Sequence, residues 1–190
     1  MGFIHAYLEK QLVRLYKPRM VWGYKRPDGV VMKNTRVANT TFIDGKENAD
    51  IQDYVFIGHH NFIEASNGLK VGEGVQITNF VSILTHSSHK SIRLYGRHFV
   101  DKVANIGYIK GSVEIGAYSF IGPHSLILPG AKIGKGCLVS AYSYVSGVFP
   151  DFSVIRGNPA KVVGDTRKID RPYLVAHPEL QVYYDEWTKT

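Results

Sequence analysis

Several features that define other classes of protein are scarce in this sequence. A single cysteine, Cys137, excludes a disulfide within one chain and favours a reducing compartment. No apolar run approaches the roughly 18 residues of a membrane-spanning helix, and His5, Glu9 and Lys10 interrupt the apolar core that a secretory signal needs. Acidic residues number 16 against 23 Lys and Arg, which gives a formal net charge of +7. We therefore expect a cytoplasmic protein with anionic partners, although no motif indicates nucleic acid.

A repeat of six residues fills the second half of the chain. From Ile109 to Val145 every sixth residue is Ile or Val, the fifth position of each six is small or compact, and the second is often glycine. A period of six fits neither a helix nor the two-residue alternation of an ordinary strand, and it is typical of a parallel β-helix. The same spacing recurs earlier in three sets, which are Val31, Val37 and Ile43, then Ile51, Ile57 and Ile63, and then Val71, Ile77 and Ile83.

Interruptions of the repeat indicate how the chain is organised. The register shifts between Ile83 and Ile109, which predicts a loop that leaves the β-helix over residues 84–108. The predicted parts are an N-terminal helix and connector over residues 1–29, an all-β parallel β-helix over 30–164 and a C-terminal tail over 165–190.

Helices are predicted at both ends of the chain. The first helix, Gly2–Lys17, ends before Pro18. One face of this helix carries the side chains of Ile4, Leu8, Leu12, Leu15 and Tyr16. Two interpretations are open: this face covers the end of the first coil, or residues 2–26, which are also basic, contact a membrane surface. A short terminal helix is predicted over Pro178–Trp187.

Two histidines, His86 and His89, lie where the chain enters the long loop. Loops on a rigid scaffold often carry catalytic groups, and neutral imidazole is the usual general base near neutral pH. Two solvated loop histidines are the alternative interpretation. Cys137 occupies a small inward position of the repeat, so we interpret it as a core residue rather than a nucleophile. Outward positions of the repeat hold three further histidines, His59, His60 and His124.

The repeats, the loop histidines and the sequence Gly157-Asn158-Pro159-Ala160-Lys161 together resemble the left-handed β-helix acyltransferases. The resemblance covers approximately Ile51–Gly164 and is to the maltose, galactoside and nodulation O-acetyltransferases and to those of bacterial surface polysaccharides. It implies left-handed coils, although parallel crossovers are generally right-handed. It also implies a homotrimer with active sites between subunits, acetyl-CoA as the acyl donor, and no metal.

The resemblance also implies roles for individual residues. Thr85-His86 matches the position of the catalytic base, so His86 is the first candidate and His89, by a longer spacing, the second. The residues implied for binding the donor are Pro123, Ala141, Arg156, Ala160 and Lys161, and those implied for the acceptor are Glu64, Ser66 and Asn67. Many relatives place a further lysine at the position of Gly147 for the CoA 3′-phosphate, and Arg156, Arg167 and Lys168 are the candidates to replace it.

The implied reaction is transfer of an acetyl group to a sugar hydroxyl, in a bacterial surface polysaccharide or its lipid-linked precursor. The basic N-terminal helix favours a location of the enzyme at the inner membrane surface. Two alternatives are an antibiotic acetyltransferase and a protein similar to γ-type carbonic anhydrases. The second alternative requires a zinc ion held by His86, His89 and His124.

Overall fold

The Ile and Val residues of the six-residue repeat, which we call the stripe, fill the interior of a triangular prism in a computed structural model of the chain. The structure describes residues 2–101 and 106–189, and of residues 2, 3 and 14–16 it describes the backbone alone. The helices are α1 (Gly2–Tyr16), α2 (Ser91–Tyr95), α3 (Thr166–Ala176) and α4 (Gln181–Thr188). The strands are β1 (Met20–Lys25), β2 (Val31–Ala38), β3 (Phe42–Asp44), β4 (Ala49–Ile51), β5 (Phe56–Ile57), β6 (Phe62–Glu64), β7 (Leu69–Val71), β8 (Gln76–Ile77), β9 (Ser82–Ile83), β10 (His86–Ser87), β11 (Ile109–Lys110), β12 (Val113–Ile115), β13 (Phe120–Ile121), β14 (Leu126–Ile127), β15 (Lys132–Ile133), β16 (Leu138–Val139), β17 (Tyr144–Val145), β18 (Val148–Phe149), β19 (Ser153–Gly157) and β20 (Ala160–Asp165).

Parallel pairing of equivalent strands in successive coils forms the three faces of the prism. One face runs β2-β5-β8-β13-β16-β19, the second β3-β6-β9-β14-β17 and the third β4-β7-β12-β15-β18. Each coil contributes one short strand to each face, so its Ile or Val lies above the equivalent residue of the coil before, as Ile121 does above Ile77. The predicted parallel β-helix is confirmed.

Small residues at the fifth position of the repeat leave room in the interior of the prism, and some of them also form hydrogen bonds at its corners. The hydroxyl of Ser119 donates a hydrogen bond to the carbonyl of Gly134 at 2.9 Å, and that of Ser125 donates to the carbonyl of Ser140 at 3.1 Å. Cys137 lies at the same position and is buried, which confirms its interpretation as core. Burial raises the pKa of its thiol, which further lowers its nucleophilic character.

Two members of the predicted stripe lie outside the coils. Val31 is 48% exposed and is opposite Lys25 in the antiparallel pair β1–β2, and Ile109 is half-buried and opposite Ser87 in the antiparallel pair β10–β11. Both have the correct spacing, but antiparallel partners remove them from the parallel faces. The loop therefore extends to Ser112 rather than ending at residue 108, because the chain re-enters the prism at Val113 in β12.

Helix α1 ends one residue before the predicted Lys17. Its Ile4, Leu8 and Leu12 are each more than half exposed, so these residues do not cover the first coil. Strand β1 lies along β2 instead, and its Tyr24 packs against the core. Leu15 and Tyr16, predicted for the same apolar face, lie outside the residues whose side chains are described. Within the described ranges, no helix has both the length and the apolar character needed to cross a bilayer.

The C-terminal segment contains a helix that the sequence analysis missed. The sequence predicted only a tail before Pro178, yet Thr166–Ala176 is helical, with Pro172 inside the helix. Asp165 caps this helix, since its carboxylate accepts a hydrogen bond from the backbone N–H of Arg167 at 2.9 Å. The predicted helix over Pro178–Trp187 corresponds to a short 3₁₀ turn followed by α4.

Candidate active site

His86 and Glu64 form the central contact of the candidate site. His86 begins β10 at the base of the loop, and Glu64 ends β6 one coil earlier. The Nδ1 atom of His86 lies 2.9 Å from Oε2 of Glu64. The approach is short but poorly aligned for a linear hydrogen bond, so we describe it as a close contact between the imidazole and the carboxylate. Nδ1 is inaccessible to solvent, so the exposed 38% of the His86 side chain belongs to the rest of the ring.

The Glu64 carboxylate is fixed by hydrogen bonds from its own chain. Oε2 accepts from the backbone N–H of Thr85 at 2.8 Å and from its hydroxyl at 2.7 Å, and Oε1 accepts from the N–H of Ser66 at 2.7 Å. Burial by itself would raise the pKa of Glu64, but the hydrogen bonds from Ser66 and Thr85 outweigh it and lower the pKa to about 2. Glu64 is therefore a buried anion at neutral pH.

This environment differs from the acceptor contact that the resemblance implied for Glu64. The residue is 3% exposed and both carboxylate oxygens already accept hydrogen bonds, which leaves little surface for an acceptor. Ser66 is exposed and Asn67 half-buried, and the Asn67 backbone N–H donates to the Thr85 hydroxyl at 3.1 Å. Thr85, which was not predicted as a site residue, thus joins Glu64 and Asn67 to the strand that carries His86.

The ionised Glu64 predicts an acid-sensitive contribution to stability. Its pKa is about 2 when folded and near the ordinary 4.5 when unfolded, so its stabilisation is complete above the unfolded value and is lost as pH falls through the folded one. For Glu64→Gln, which cannot titrate here, we expect the difference in free energy of unfolding from wild type to shrink by about 3 kcal/mol across that range. Urea unfolding of both proteins at a series of pH values measures this, and parallel curves would contradict it.

The loop supplies a ring that packs on His86. The Tyr108 ring stacks on the imidazole with centroids 5.6 Å apart and planes 8° apart, and the Nζ of Lys110 lies 5.6 Å from the Tyr108 centroid. His89 has a different environment. It is exposed, and its Nδ1 lies 2.8 Å from the hydroxyl of Ser87, two residues away. Of the two candidates, His86 has the buried carboxylate partner that a base requires for a fixed orientation.

Residues implied for the acyl donor lie on another edge of the prism. Pro123 and Ala141 occupy the corner that joins the first face to the second, on consecutive coils, and the N–H of Tyr142 donates to the carbonyl of Pro123 at 3.0 Å. The loop carrying His86 leaves the corner after β9, which joins the second face to the third. A single chain therefore does not bring these two groups to the same edge.

Residues 108–147 match the family of the bacterial transferase hexapeptide (six repeats). This match identifies residues 108–147 as hexapeptide repeats of that family. The repeats that the match covers are those that place Ile115, Ile121 and Ile127 inside the prism and Pro123 at its corner. The match agrees with the left-handed coils that the resemblance implied.

Several acyltransferases are similar to this chain over different lengths. A probable acetyltransferase of Mycobacterium tuberculosis is 30% identical over 115 residues, 58% of this chain and 35% of that protein. The dTDP-4-amino-4,6-dideoxy-D-glucose acyltransferase of Escherichia coli is 27% identical over 145 residues, 71% of this chain and 73% of that one. The structure of an N-acyltransferase from Bacillus cereus with dTDP and 3-hydroxybutyryl-CoA has a TM-score of 0.53 at 19% identity, covers 83% of this chain and 90% of that chain, and shows the shared fold. This chain spans about one third of the length of the first curated relatives.

Two cations of the chain face each other in its C-terminal hairpin. Arg156 on β19 is directly opposite Lys161 on β20, and both are exposed. Like charges directly opposite in an antiparallel pair are destabilising, so this pair is suited to an anion lying between them. Ala160 is half-buried beside them, opposite Gly157.

Four aromatic and imidazole rings form a ladder on the corner that holds Pro123 and Ala141. His60, Phe80, His124 and Tyr142 stack in order with centroids 5.2, 4.9 and 4.8 Å apart. All four are exposed, which confirms the outward positions predicted for His60 and His124. In residues 2–101 and 106–189 no three His, Cys, Asp or Glu side chains converge as a metal site, and His86 and His124 lie on different corners.

Proposed function

We propose that this chain is an acetyl-CoA-dependent O-acetyltransferase that acts on a sugar hydroxyl. The observation that carries the proposal is the contact between His86 and the buried, ionised Glu64 at the exit of a hexapeptide-repeat loop. A carboxylate at Nδ1 holds the proton on that atom and leaves Nε2 as the basic nitrogen. Glu64 is thus a positioning residue for His86, rather than a contact of the acceptor.

The chemistry follows from the state of these two side chains. His86 removes the proton from the acceptor hydroxyl as its oxygen attacks the thioester carbonyl, and the Glu64 anion stabilises the imidazolium that forms. The carbon–sulfur bond then breaks, and the imidazolium returns the proton to the departing CoA thiolate. Fixed orientation matters because a base must lie within hydrogen-bond reach of the proton that it removes.

The donor site is proposed to lie between two subunits of a homotrimer. Support comes from the separation of His86 from Pro123 and Ala141 on different edges of one prism. In a cyclic trimer the loop edge of one subunit faces a different edge of its neighbour, so a heterologous interface brings such groups together. Arg156 and Lys161 supply the positive charge that the phosphates of CoA require.

The acceptor is proposed to be a sugar of a surface polysaccharide or its precursor. The Escherichia coli relative, named for an amino sugar linked to dTDP, supports a sugar substrate. That name also favours a second candidate reaction, acylation of a sugar amine, at the same His86. Both reactions use the same donor, so the acceptor decides between them.

Donor binding and acceptor choice are tested by two measurements on the purified protein. We expect CoA to raise the thermal midpoint, because a ligand that binds the native state stabilises it. The Arg156→Ala/Lys161→Ala variant should lose most of this shift, whereas Lys33→Ala, on β2 at the opposite end of the first face from β19, should keep it. Release of free CoA from acetyl-CoA, screened against sugars, nucleotide amino sugars and an aminoglycoside, then identifies the acceptor. Absence of both a shift and CoA release would reject the proposal.

We also propose that residues 2–26 bring the enzyme to an anionic membrane surface. Ile4, Leu8 and Leu12 of α1 are exposed, as is Trp22 on β1, and the segment carries Lys10, Lys17, Arg19 and Lys25. Apolar residues with flanking basic residues suit the interface of anionic lipids. We expect the protein to sediment with vesicles that contain phosphatidylglycerol and not with phosphatidylcholine alone.

Leu8→Glu should abolish this sedimentation, since it places a charge in the apolar face, whereas Glu9→Gln, outside that face, should not. Equal sedimentation with both kinds of vesicle, or an unaffected Leu8→Glu protein, would contradict membrane contact through this segment.

A further inference from the structure

An open groove with a cavity volume of about 1050 Å³ lies between the prism and the helices α3 and α4. We call it the C-terminal groove and define it by Tyr118, Tyr173, Tyr184, Trp187 and the carboxylates of Glu73, Asp170 and Glu186. Its prism side is the corner that joins the third face to the first. It contains neither His86 nor any residue proposed for the acyl donor, so it is a separate surface.

The corner beneath this groove makes room for aromatic rings. Gly74 has a φ of +69°, and a Cβ there would lie 2.6 Å from the ring of Tyr118. At Gly136, with a φ of +63°, a Cβ would lie 2.8 Å from the ring of Phe152 and 3.0 Å from that of Trp187. Glycine and aromatic residues thus alternate along the corner, and the space released by each glycine is taken by a ring.

These rings form one cluster within the C-terminal groove. The centroids of Tyr118 and Trp187 are 4.9 Å apart, and Tyr184 meets Trp187 edge-on at 5.3 Å with an interplanar angle of 70°. Tyr173 is largely exposed and lines the same groove. The groove therefore offers the π-faces of several rings to a bound molecule.

Charge in the C-terminal groove is opposite to that of the whole chain. Its lining contains three carboxylates and one ammonium group, Lys135, in a protein with a net charge of +7. The Nζ of Lys135 donates to the carbonyl of Thr188 at 3.1 Å, so it is turned toward the end of α4. Burial, together with a 2.7 Å hydrogen bond to Glu73, raises the pKa of Tyr118 to about 12, so the phenol stays neutral.

We propose that the C-terminal groove binds a small organic cation through its primary or quaternary ammonium group. Aromatic faces attract such a cation through their quadrupoles, and ligand cations are favoured where several rings converge. The carboxylates add attraction at each end of the ring cluster, whereas a phosphate or a nucleotide would be repelled. This proposal does not depend on the proposed acyl transfer, since the two sites share no residue.

Choline is the probe that tests the proposal, and 3,3-dimethyl-1-butanol, its neutral isostere, is the control. The sequence contains two tryptophans, Trp22 and Trp187, so a Trp22→Phe protein reports on the groove through Trp187 fluorescence alone. We expect a saturable change with choline, binding at least about tenfold weaker for the isostere, and weakening with added salt. The His86→Ala change in the same background should leave choline binding unchanged.

A pair of charge-matched variants separates local from general electrostatics. Glu73→Gln with Glu186→Gln removes two carboxylates of the groove and should weaken choline binding about tenfold. Glu9→Gln with Glu179→Gln removes the same total charge outside the groove and should leave it unchanged. No saturable response to choline, equal binding of the isostere, or equal effects of the two double variants would overturn the proposal.

Discussion

His86→Ala is expected to lower turnover by about 10²–10⁴, the usual contribution of a general base. The loss should fall on kcat rather than on CoA binding, because the donor is proposed to bind the neighbouring subunit's corner at Pro123 and Ala141, whereas His86 acts on the proton of the acceptor hydroxyl. The fold should survive, since the Glu64 carboxylate keeps its hydrogen bonds from Thr85 and Ser66. Steady-state kinetics with the acceptor found by screening, together with a CoA thermal shift, measure both expectations.

His89→Ala is the matched control for this variant. His89 lies in the same loop as His86, but its contact is the hydroxyl of Ser87 rather than a carboxylate. We expect its turnover to remain near wild type. A fully active His86→Ala protein with an inactive His89→Ala protein would transfer the role to His89, and two active variants would reject a loop histidine as the base.

Mixed trimers are expected to regain about one third of wild-type activity from two inactive parents. One parent is His86→Ala, and the other is Ala141→Trp, which should block the donor cleft at an exposed corner. If each site takes its base from one subunit and its donor surface from the next, every trimer that contains both parents has about one interface in three with both wild-type groups. Co-expression with two affinity tags, purification of mixed species and CoA-release assays measure the recovery.

A double variant provides the control for subunit mixing. Trimers of His86→Ala with His86→Ala/Ala141→Trp contain no wild-type base and should stay inactive. If mixed trimers of the two single variants also stay inactive, His86 and Ala141 act within the same chain. The proposed site between subunits would then be wrong, although the base itself could still be His86.

Much of the prism was predictable because its rule is local and periodic. Ile121, Ile127 and Val145 are buried where the period of six places them, since each coil repeats the same three short strands. Val31 and Ile109 show the limit of that rule. They satisfy the spacing but lie in antiparallel pairs, and spacing alone does not show which neighbour a strand will pair with.

Part of the candidate site could not be predicted from the sequence. His86 was selected by its place at the loop exit, but its partner Glu64 lies 22 positions earlier and was assigned to the acceptor. Only the stacking of coils brings β6 beside the chain that follows β9, and only the resulting burial turns Glu64 into a fixed anion. The cap of α3 at Asp165 was likewise not predicted from the sequence, which indicated only a tail there.

The sequence by itself determined the β-helix, the exit of the loop and the identity of the repeat, because a branched residue every sixth position is compatible with few other folds. The tertiary structure decided which charged groups meet. Contacts such as those of Glu64 with His86, or of Tyr118 with Trp187 in the C-terminal groove, join residues from different coils or from a coil and a helix. Such contacts depend on how far each coil advances along the prism and on burial, and neither is a property of a residue and its neighbours in sequence.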